Sequence, residues 1–219
     1  MNTTTNLIFA GVGGQGVLLI AELTALAALR VGFDVKQTEV HGVSQRGGSV
    51  ESHVRFGEVV YSPLVSAGQA DVVIGLEKLE GLRYAGLLRP RLVSPLRSGE
   101  AVEGALLVND HEIIPGSVAN AMERYPHDAL DRLRANGVRV IALPATQQAA
   151  DLGDGRMANL IVLGALSALI RLTVPEAAWR ATLDERLPRK YRDANLRAFD
   201  VGKEWLIANR LSPIANAGR

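Results

Sequence analysis

Residues 11 to 16 read Gly11-Val12-Gly13-Gly14-Gln15-Gly16, after the mostly apolar run Asn6 to Ala10 and before another from Val17 to Leu29. Glycines spaced G-x-G-x-x-G between a strand and a helix let backbone N–H groups approach an anion at the helix N-terminus. The chemistry this turn offers is therefore phosphate or pyrophosphate binding through Gly11, Gly13, Gly14, Gln15 and Gly16. The same spacing also serves close packing of a helix on a strand, with no ligand. A triphosphate loop of the G-x-x-x-x-G-K-[ST] kind is excluded, because Val17 and Leu18 stand where a lysine and a hydroxyl are required.

A second polar loop, Glu39 to Ser49, carries Gln45-Arg46-Gly47-Gly48. The Arg46 guanidinium is a fork suited to phosphate or carboxylate, and the glycines beside it allow close backbone approach. Its alternative role is an intersubunit ion pair. His41 can donate and accept near neutral pH, so it is a candidate for touching substrate or coenzyme, or for orienting its own loop. Glu39 closes the expected second strand, where a dinucleotide-binding domain places an acid on the ribose; Asp34 competes for that role, and Glu39 can equally cap a turn. Glu39, His41 and Arg46 are thus the candidates for a part in catalysis. Gln15 and Gln45 can fix a ligand or the loops themselves. Ser44 is no hydrolase nucleophile, since Arg46 replaces the second glycine of G-x-S-x-G. His41 and His53 lack the acids and the spacing of a metal motif, so no metal site is expected.

Stepping outward to the elements that must hold these loops, Phe33 to Thr38 alternates as a second strand. Val50 to Phe56, a turn at Gly57-Glu58 and Val59 to Tyr61 suggest a hairpin added to the sheet. Asp71 to Gly75, Gly104 to Asn109 and Val138 to Leu143 are short apolar runs of the buried parallel kind, and Leu76 to Leu88 reads as a helix. Arg89 to Glu103 reads as a surface excursion. Helical patterns follow over Ala145 to Leu152, Arg156 to Leu172, Pro175 to Leu187 and Tyr191 to Asn209, with a frayed tail from Leu211 to Arg219. Met157 to Ile170 is apolar nearly all round and must be deep core or a subunit interface. The expected fold class is α/β: a doubly wound, mainly parallel sheet with an inserted β-hairpin and a C-terminal helical extension, in one domain (core 6–143, extension 144–210, tail 211–219).

Twenty-four basic and twenty-three acidic residues leave a formal charge of +1, with no basic block for nucleic acid. The 219 residues contain no cysteine, so this chain cannot hold an iron–sulfur cluster by its own thiolates. No signal segment opens the sequence and no apolar run reaches the roughly 18 residues of a membrane span, which makes a cytoplasmic protein the expectation.

The runs G-V-G-G-Q-G-V-L-L, E-V-H-G-V-S-Q-R-G-G-S-V-E-S-H-V-R-F-G, Y-S-P-L, A-D-V-V-I-G-L-E, L-V-N-D and M-A-N-L-I-V-L-G-A-L, with Ala198-Phe199-Asp200 near the end, span most of the chain. Together they resemble the gamma-type subunit of the 2-oxoacid:acceptor oxidoreductases, and within that family its indolepyruvate ferredoxin oxidoreductase branch. The match is weakest over Arg91 to Glu103. The resemblance implies a multi-subunit enzyme that oxidatively decarboxylates arylpyruvates to aryl-acetyl-CoA and passes electrons to ferredoxin or a similar acceptor. It implies thiamine diphosphate and iron–sulfur clusters on a larger partner subunit, no cofactor held by this chain alone, and coenzyme A as co-substrate near the glycine loops. The rivals are the equivalent subunit for another 2-oxoacid, a free-standing NAD(P)-binding protein, and an interaction module whose glycine loops only shape an interface. If Arg46 grips the coenzyme or the partner, Arg46→Ala raises the apparent KM for coenzyme A or impairs assembly; normal kinetics and normal stoichiometry in the purified complex would remove it from the site.

Overall fold

The computed structural model describes residues 4–41, 48–90, 92–93, 101–170 and 173–209. In chain order its strands are β1 (Thr4–Val12), β2 (Asp34–His41), β3 (Ser49–Gly57), β4 (Val72–Gly75), β5 (Leu92–Val93), β6 (Ala101–Val102), β7 (Ala105–Asn109) and β8 (Arg139–Leu143). Its α-helices are α1 (Val17–Arg30), α2 (Lys78–Arg83), α3 (Gly116–Ala119), α4 (Ala129–Ala135), α5 (Ala145–Asp151), α6 (Ala158–Leu169), α7 (Glu176–Arg186) and α8 (Arg192–Ala208). Six strands form one sheet in the order β2-β3-β1-β4-β7-β8, and β5 pairs with β6 inside the excursion.

β1, β4, β7 and β8 are parallel neighbours, as their apolar runs foretold. Leu7, Ile8, Phe9 and Ala10 are all fully buried because helices cover both faces of the sheet. Leu7 and Phe9 join a large cluster with Ile20 of α1, Leu163 of α6, Leu183 of α7 and Phe199 of α8. Ile8 points the other way, into a smaller cluster with Val73, Leu106, Val65 and Leu130. Side chains on a strand alternate faces, so one uninterrupted apolar run serves two cores.

The inserted hairpin is present, with arms other than those expected. β3 pairs antiparallel with β2, from Asp34 opposite Gly57 to His41 opposite Val50, and with β1, from Thr4 opposite Gly57 to Val12 opposite Ser49. Val59 to Tyr61 forms no strand, because both edges of β3 are already occupied. β2 also runs through His41, three residues beyond the expected end. The helix expected over Leu76 to Leu88 is shorter: the Glu77 carboxylate caps it by accepting the Glu80 N–H at 2.8 Å, and α2 gives way to a 3-10 turn at Ala85–Leu87. The sequence pattern did not disclose α4. The tail from Leu211 lies outside the described residues.

α6 is deep core: every residue from Asn159 to Leu169 is buried within this chain. It crosses α8 at two glycines. A Cβ on Gly164 would lie 1.9 Å from the Phe199 carbonyl oxygen, and one on Gly202 would lie 1.7 Å from that of Ile161. No rotamer change relieves a clash with backbone, so the helices would have to part. Gly164→Ala or Gly202→Ala is therefore expected to destabilise the fold by about 3 kcal/mol in chemical denaturation. Gly86→Ala, where an added methyl meets nothing within 4 Å, should change it by less than about 0.5 kcal/mol.

Candidate functional site

Between β1 and α1 the chain turns at Gly14 and Gly16, whose φ values of 99° and 84° are left-handed and favour glycine. The Gln15 side chain closes this turn. Its Oε1 accepts the Val12 N–H at 2.7 Å, and its Nε2 donates to the Leu76 carbonyl at the end of β4 at 3.3 Å. Of the two roles open to this amide, the bonds made here serve the loop. α1 has no side-chain cap and no acidic residue in its first turn. Its leading N–H groups and the positive end of its dipole remain available to an anion.

This turn forms one wall of a cleft of about 390 Å³ at the carboxyl edge of the parallel strands. α1 packs on one face of the sheet and α2 on the other, so the chain diverges between β1 and β4, where doubly wound sheets hold ligands. Leu76, Asn109, His111 and Thr146 form the floor, and Gly155, Arg156 and Asn159 at the start of α6 form the opposite wall. Asn109 is almost fully buried and knits three elements: Nδ2 donates to the Leu76 carbonyl at 3.1 Å and to Thr146 Oγ1 at 2.8 Å, while Oδ1 accepts the Thr146 N–H at 3.1 Å. Arg156 reaches solvent at the rim. Asp154 grips it through Nε at 3.0 Å and Nη2 at 2.7 Å, and also accepts the Arg156 N–H. These bonds hold the Asp154 carboxyl down at about 2 and keep the guanidinium charged and oriented. The cleft combines backbone amides, a helix dipole and one fixed guanidinium, a set suited to phosphate.

Gly48, the described end of the second loop, touches the first glycine turn. The Gly13 N–H donates to the Gly48 carbonyl at 2.9 Å, and the neighbouring Ser49 hydroxyl donates to Glu80 at 2.5 Å. His41 ends β2 at the same edge of the sheet. Gln45, Arg46 and Gly47 lie outside the described residues. Gly11 is a packing residue, since a Cβ there would stand 2.8 Å from both Gln15 and Val17. Glu39 is exposed in the body of β2, opposite Ser52. With β3 between β2 and β1, Glu39 stands level with Phe9 and two strand spacings, about 10 Å, from β1, with the glycine turn further along. The ribose role therefore does not carry over to it, or to Asp34 at the far end of β2, which accepts the Val60 N–H.

Sequence reasoning assigned no role to Asn109, Thr146, Arg156 or Asn159. Asn109 and Asn159 fall inside the L-V-N-D and M-A-N-L runs, yet no local spacing signals that strand, loop and helix N-terminus converge. Among the described residues no group of three or more His, Cys, Asp or Glu side chains is placed to hold a metal ion, and no helix is long and apolar enough to cross a membrane.

Residues 6–205 match the family model described as pyruvate ferredoxin/flavodoxin oxidoreductase. The chain is 36% identical over 202 residues to the indolepyruvate oxidoreductase subunit IorB of Thermococcus kodakarensis, covering 90% of this chain and 93% of that one. It is 35% identical over 211 residues to the subunit of the same name in Archaeoglobus fulgidus, covering 95% and 98%. The ketoisovalerate oxidoreductase subunit VorA of Methanothermobacter marburgensis matches at 29% over 91% of this chain but 36% of its own length. Among solved structures, the 2-oxoglutarate:ferredoxin oxidoreductase of Magnetococcus marinus, with 2-oxoglutarate, coenzyme A and succinyl-CoA bound, shares the fold at a TM-score of 0.73 and 20% identity. The match covers 100% of this chain and 33% of that one.

One titratable group lies in the sheet beneath this edge. His53, on β3, is 5% exposed, and its Nδ1 accepts the Val65 N–H at 3.0 Å. Burial pushes its pKa below 6.5, Arg55 adds to that, and Glu51, 3.6 Å from Nε2, opposes it. A depressed histidine is neutral in the folded chain, while the unfolded chain takes up a proton as pH falls through 6.5. Stability is therefore full above that value and declines below it, down to the depressed folded pKa. His53→Asn, which retains an acceptor but does not titrate, is expected to flatten the decline of stability below pH 6.5 in urea melts. An unchanged acid slope would assign that decline to other groups.

Proposed function

The chain belongs to the pyruvate ferredoxin/flavodoxin oxidoreductase family, and we propose that within it the chain is the small subunit of an indolepyruvate-type 2-oxoacid:ferredoxin oxidoreductase. In this reading the complex joins an arylpyruvate to coenzyme A, releases carbon dioxide and passes two electrons to ferredoxin or a similar acceptor. The larger partner holds the iron–sulfur clusters and thiamine diphosphate, and the latter supplies the electron sink for decarboxylation. The small subunit binds and orients. The N–H groups at Gly14, Gly16 and the start of α1, with Arg156, receive the pyrophosphate of coenzyme A; Gly11, Gly13 and Gln15 shape the turn. Gln45, Arg46, Gly47 and Gly48 are further coenzyme-binding residues in this reading, and Glu39, His41 and Arg46 are the candidates for a part in catalysis. The protein works in the cytoplasm.

The observation that carries the substrate type is similarity along the full length of relatives bearing the indolepyruvate name. The cleft suits the coenzyme, because its uncapped helix N-terminus and rim arginine match a pyrophosphate. The ketoisovalerate name of a more distant relative favours a second reading, the same subunit for a branched-chain 2-oxoacid. A free-standing dinucleotide-binding protein is disfavoured by β3, which removes the acid of β2 from the neighbourhood of the glycine turn.

Co-expression with the larger thiamine- and cluster-bearing chain tests the proposal. The two chains are expected to co-purify and to reduce ferredoxin only together, with kcat/KM for indolepyruvate at least about tenfold above that for 2-oxoglutarate or 2-oxoisovalerate. A preference for 2-oxoisovalerate would install the second reading. Failure to associate, or nicotinamide-linked turnover by this chain alone, would overturn both.

A further inference from the structure

Beyond the end of β3, residues 58–66 take no regular secondary structure and leave the sheet at its amino edge, away from the cleft. Side chains of three sheet residues hold this strap. The Asp34 carboxylate accepts the Val60 N–H at 2.8 Å, Arg55 Nη1 donates to the Ser62 and Leu64 carbonyls at 2.9 and 3.0 Å, and His53 Nδ1 accepts the Val65 N–H at 3.0 Å. Arg55 is itself fixed by Asn6. The strap turns Tyr61 and Leu64 to solvent and tucks Val60 and Val65 inward, Val65 joining the smaller core with Ile8 and Val73.

The state of His53 sets it apart from the other two anchors. Because Nδ1 accepts, the neutral ring carries its proton on Nε2, and among the described residues that buried atom has no hydrogen-bond partner. A Glu51 carboxylate oxygen, two residues away on the same face of β3, lies 3.6 Å from it, beyond hydrogen-bond reach. A second proton can enter only at Nδ1, where it would meet the Val65 N–H donor to donor. The imidazolium that forms is attracted to Glu51 and can no longer hold Val65. Arg55, on the same strand, opposes that charge, and Tyr84 hydrogen-bonds Glu51 from beyond α2. The neighbouring strands place Ile8 and Thr38, which carry no charge, opposite His53. We propose that His53 is a proton-operated latch: on protonation at Nδ1 it exchanges the Val65 N–H for the Glu51 carboxylate and frees the strap at Val65. The latch is closed above pH 6.5, because burial depresses the folded histidine, and loosens as pH falls below that value.

Residue-resolved amide hydrogen exchange of the full chain, corrected for intrinsic rates and followed downward from about pH 7.5, tests the latch. Below pH 6.5 the protection of the Val65 amide is expected to fall by up to about tenfold per pH unit, while amides of β1 and β7 change by less than about twofold. Val60 is the internal control. Its acceptor Asp34 is held below the usual carboxylate range by Lys36 and by the Val60 N–H, so that bond should persist through the same window. His53→Asn should make Val65 protection independent of pH, whatever its level. Glu51→Gln removes the charge that favours the imidazolium and should move the opening of Val65 to lower pH. Val65 protection that does not vary with pH in the unaltered chain, or a slope that survives in His53→Asn, overturns the latch. So does a parallel loss in β1 and β7, which would mark global unfolding, or an opening that Glu51→Gln leaves in place or moves to higher pH.

Discussion

The carbonyl oxygen of Leu76 is the point on which this structure turns. It follows β4 directly at the carboxyl edge of the sheet and accepts from both the Gln15 and the Asn109 side chains. Gln15 simultaneously fixes the β1–α1 turn, and Asn109 simultaneously fixes the start of α5. Two carboxamides sharing one acceptor therefore lock the ends of three adjacent strands in register, in a place where buried polar groups tolerate no missing partner. The cleft has a rigid floor because its polar groups are satisfied by the protein. The amides at the head of α1, which no side chain caps, are left for something else.

The antiparallel β3 changes what that cleft can be. In a dinucleotide-binding sheet β2 lies beside β1 and brings its acid to the ribose. Here β3 takes that place, and its first residues are tied to the glycine turn and to α2. The glycine pattern is retained while its acidic counterpart is moved a strand away, so the turn presents backbone amides without a hydroxyl-reading partner. The cleft is lined instead from α6, where Arg156 and Asn159 approach from a part of the chain far from the glycines in sequence.

That approach depends on how closely α6 and α8 pack. Gly164 and Gly202 let each helix backbone touch the other, which seats α6 against the sheet and sets the position of its N-terminus at the cleft. The apolar sequence of α6 left deep core and subunit interface as alternatives, and burial of every residue from Asn159 to Leu169 within this chain selects the first. Side chains of α5 to α8 belong to the same cluster as the sheet, so the helical extension is part of one continuous core.

Local order was readable in the residues themselves. The apolar runs of β1, β4, β7 and β8, the glycine turn and the four C-terminal helices announce themselves because periodicity and turn chemistry act between near neighbours. The length of α2 was misjudged because Glu77, inside the expected span, caps it and the chain tightens into a 3-10 turn at Ala85–Leu87, and the hairpin arms were misassigned because strand pairing is a contest between distant segments. The family could be recognised from motif runs alone. Tertiary structure alone decided that β3 enters between β2 and β1, that Glu39 is thereby removed from the glycine turn, and that Asn109, Thr146, Arg156 and Asn159 converge on it. Spacing along a chain encodes hydrogen bonds within a turn of helix or a strand; which helix N-terminus faces which strand end follows from burying two faces of a sheet at once, and that is settled only when the whole core packs.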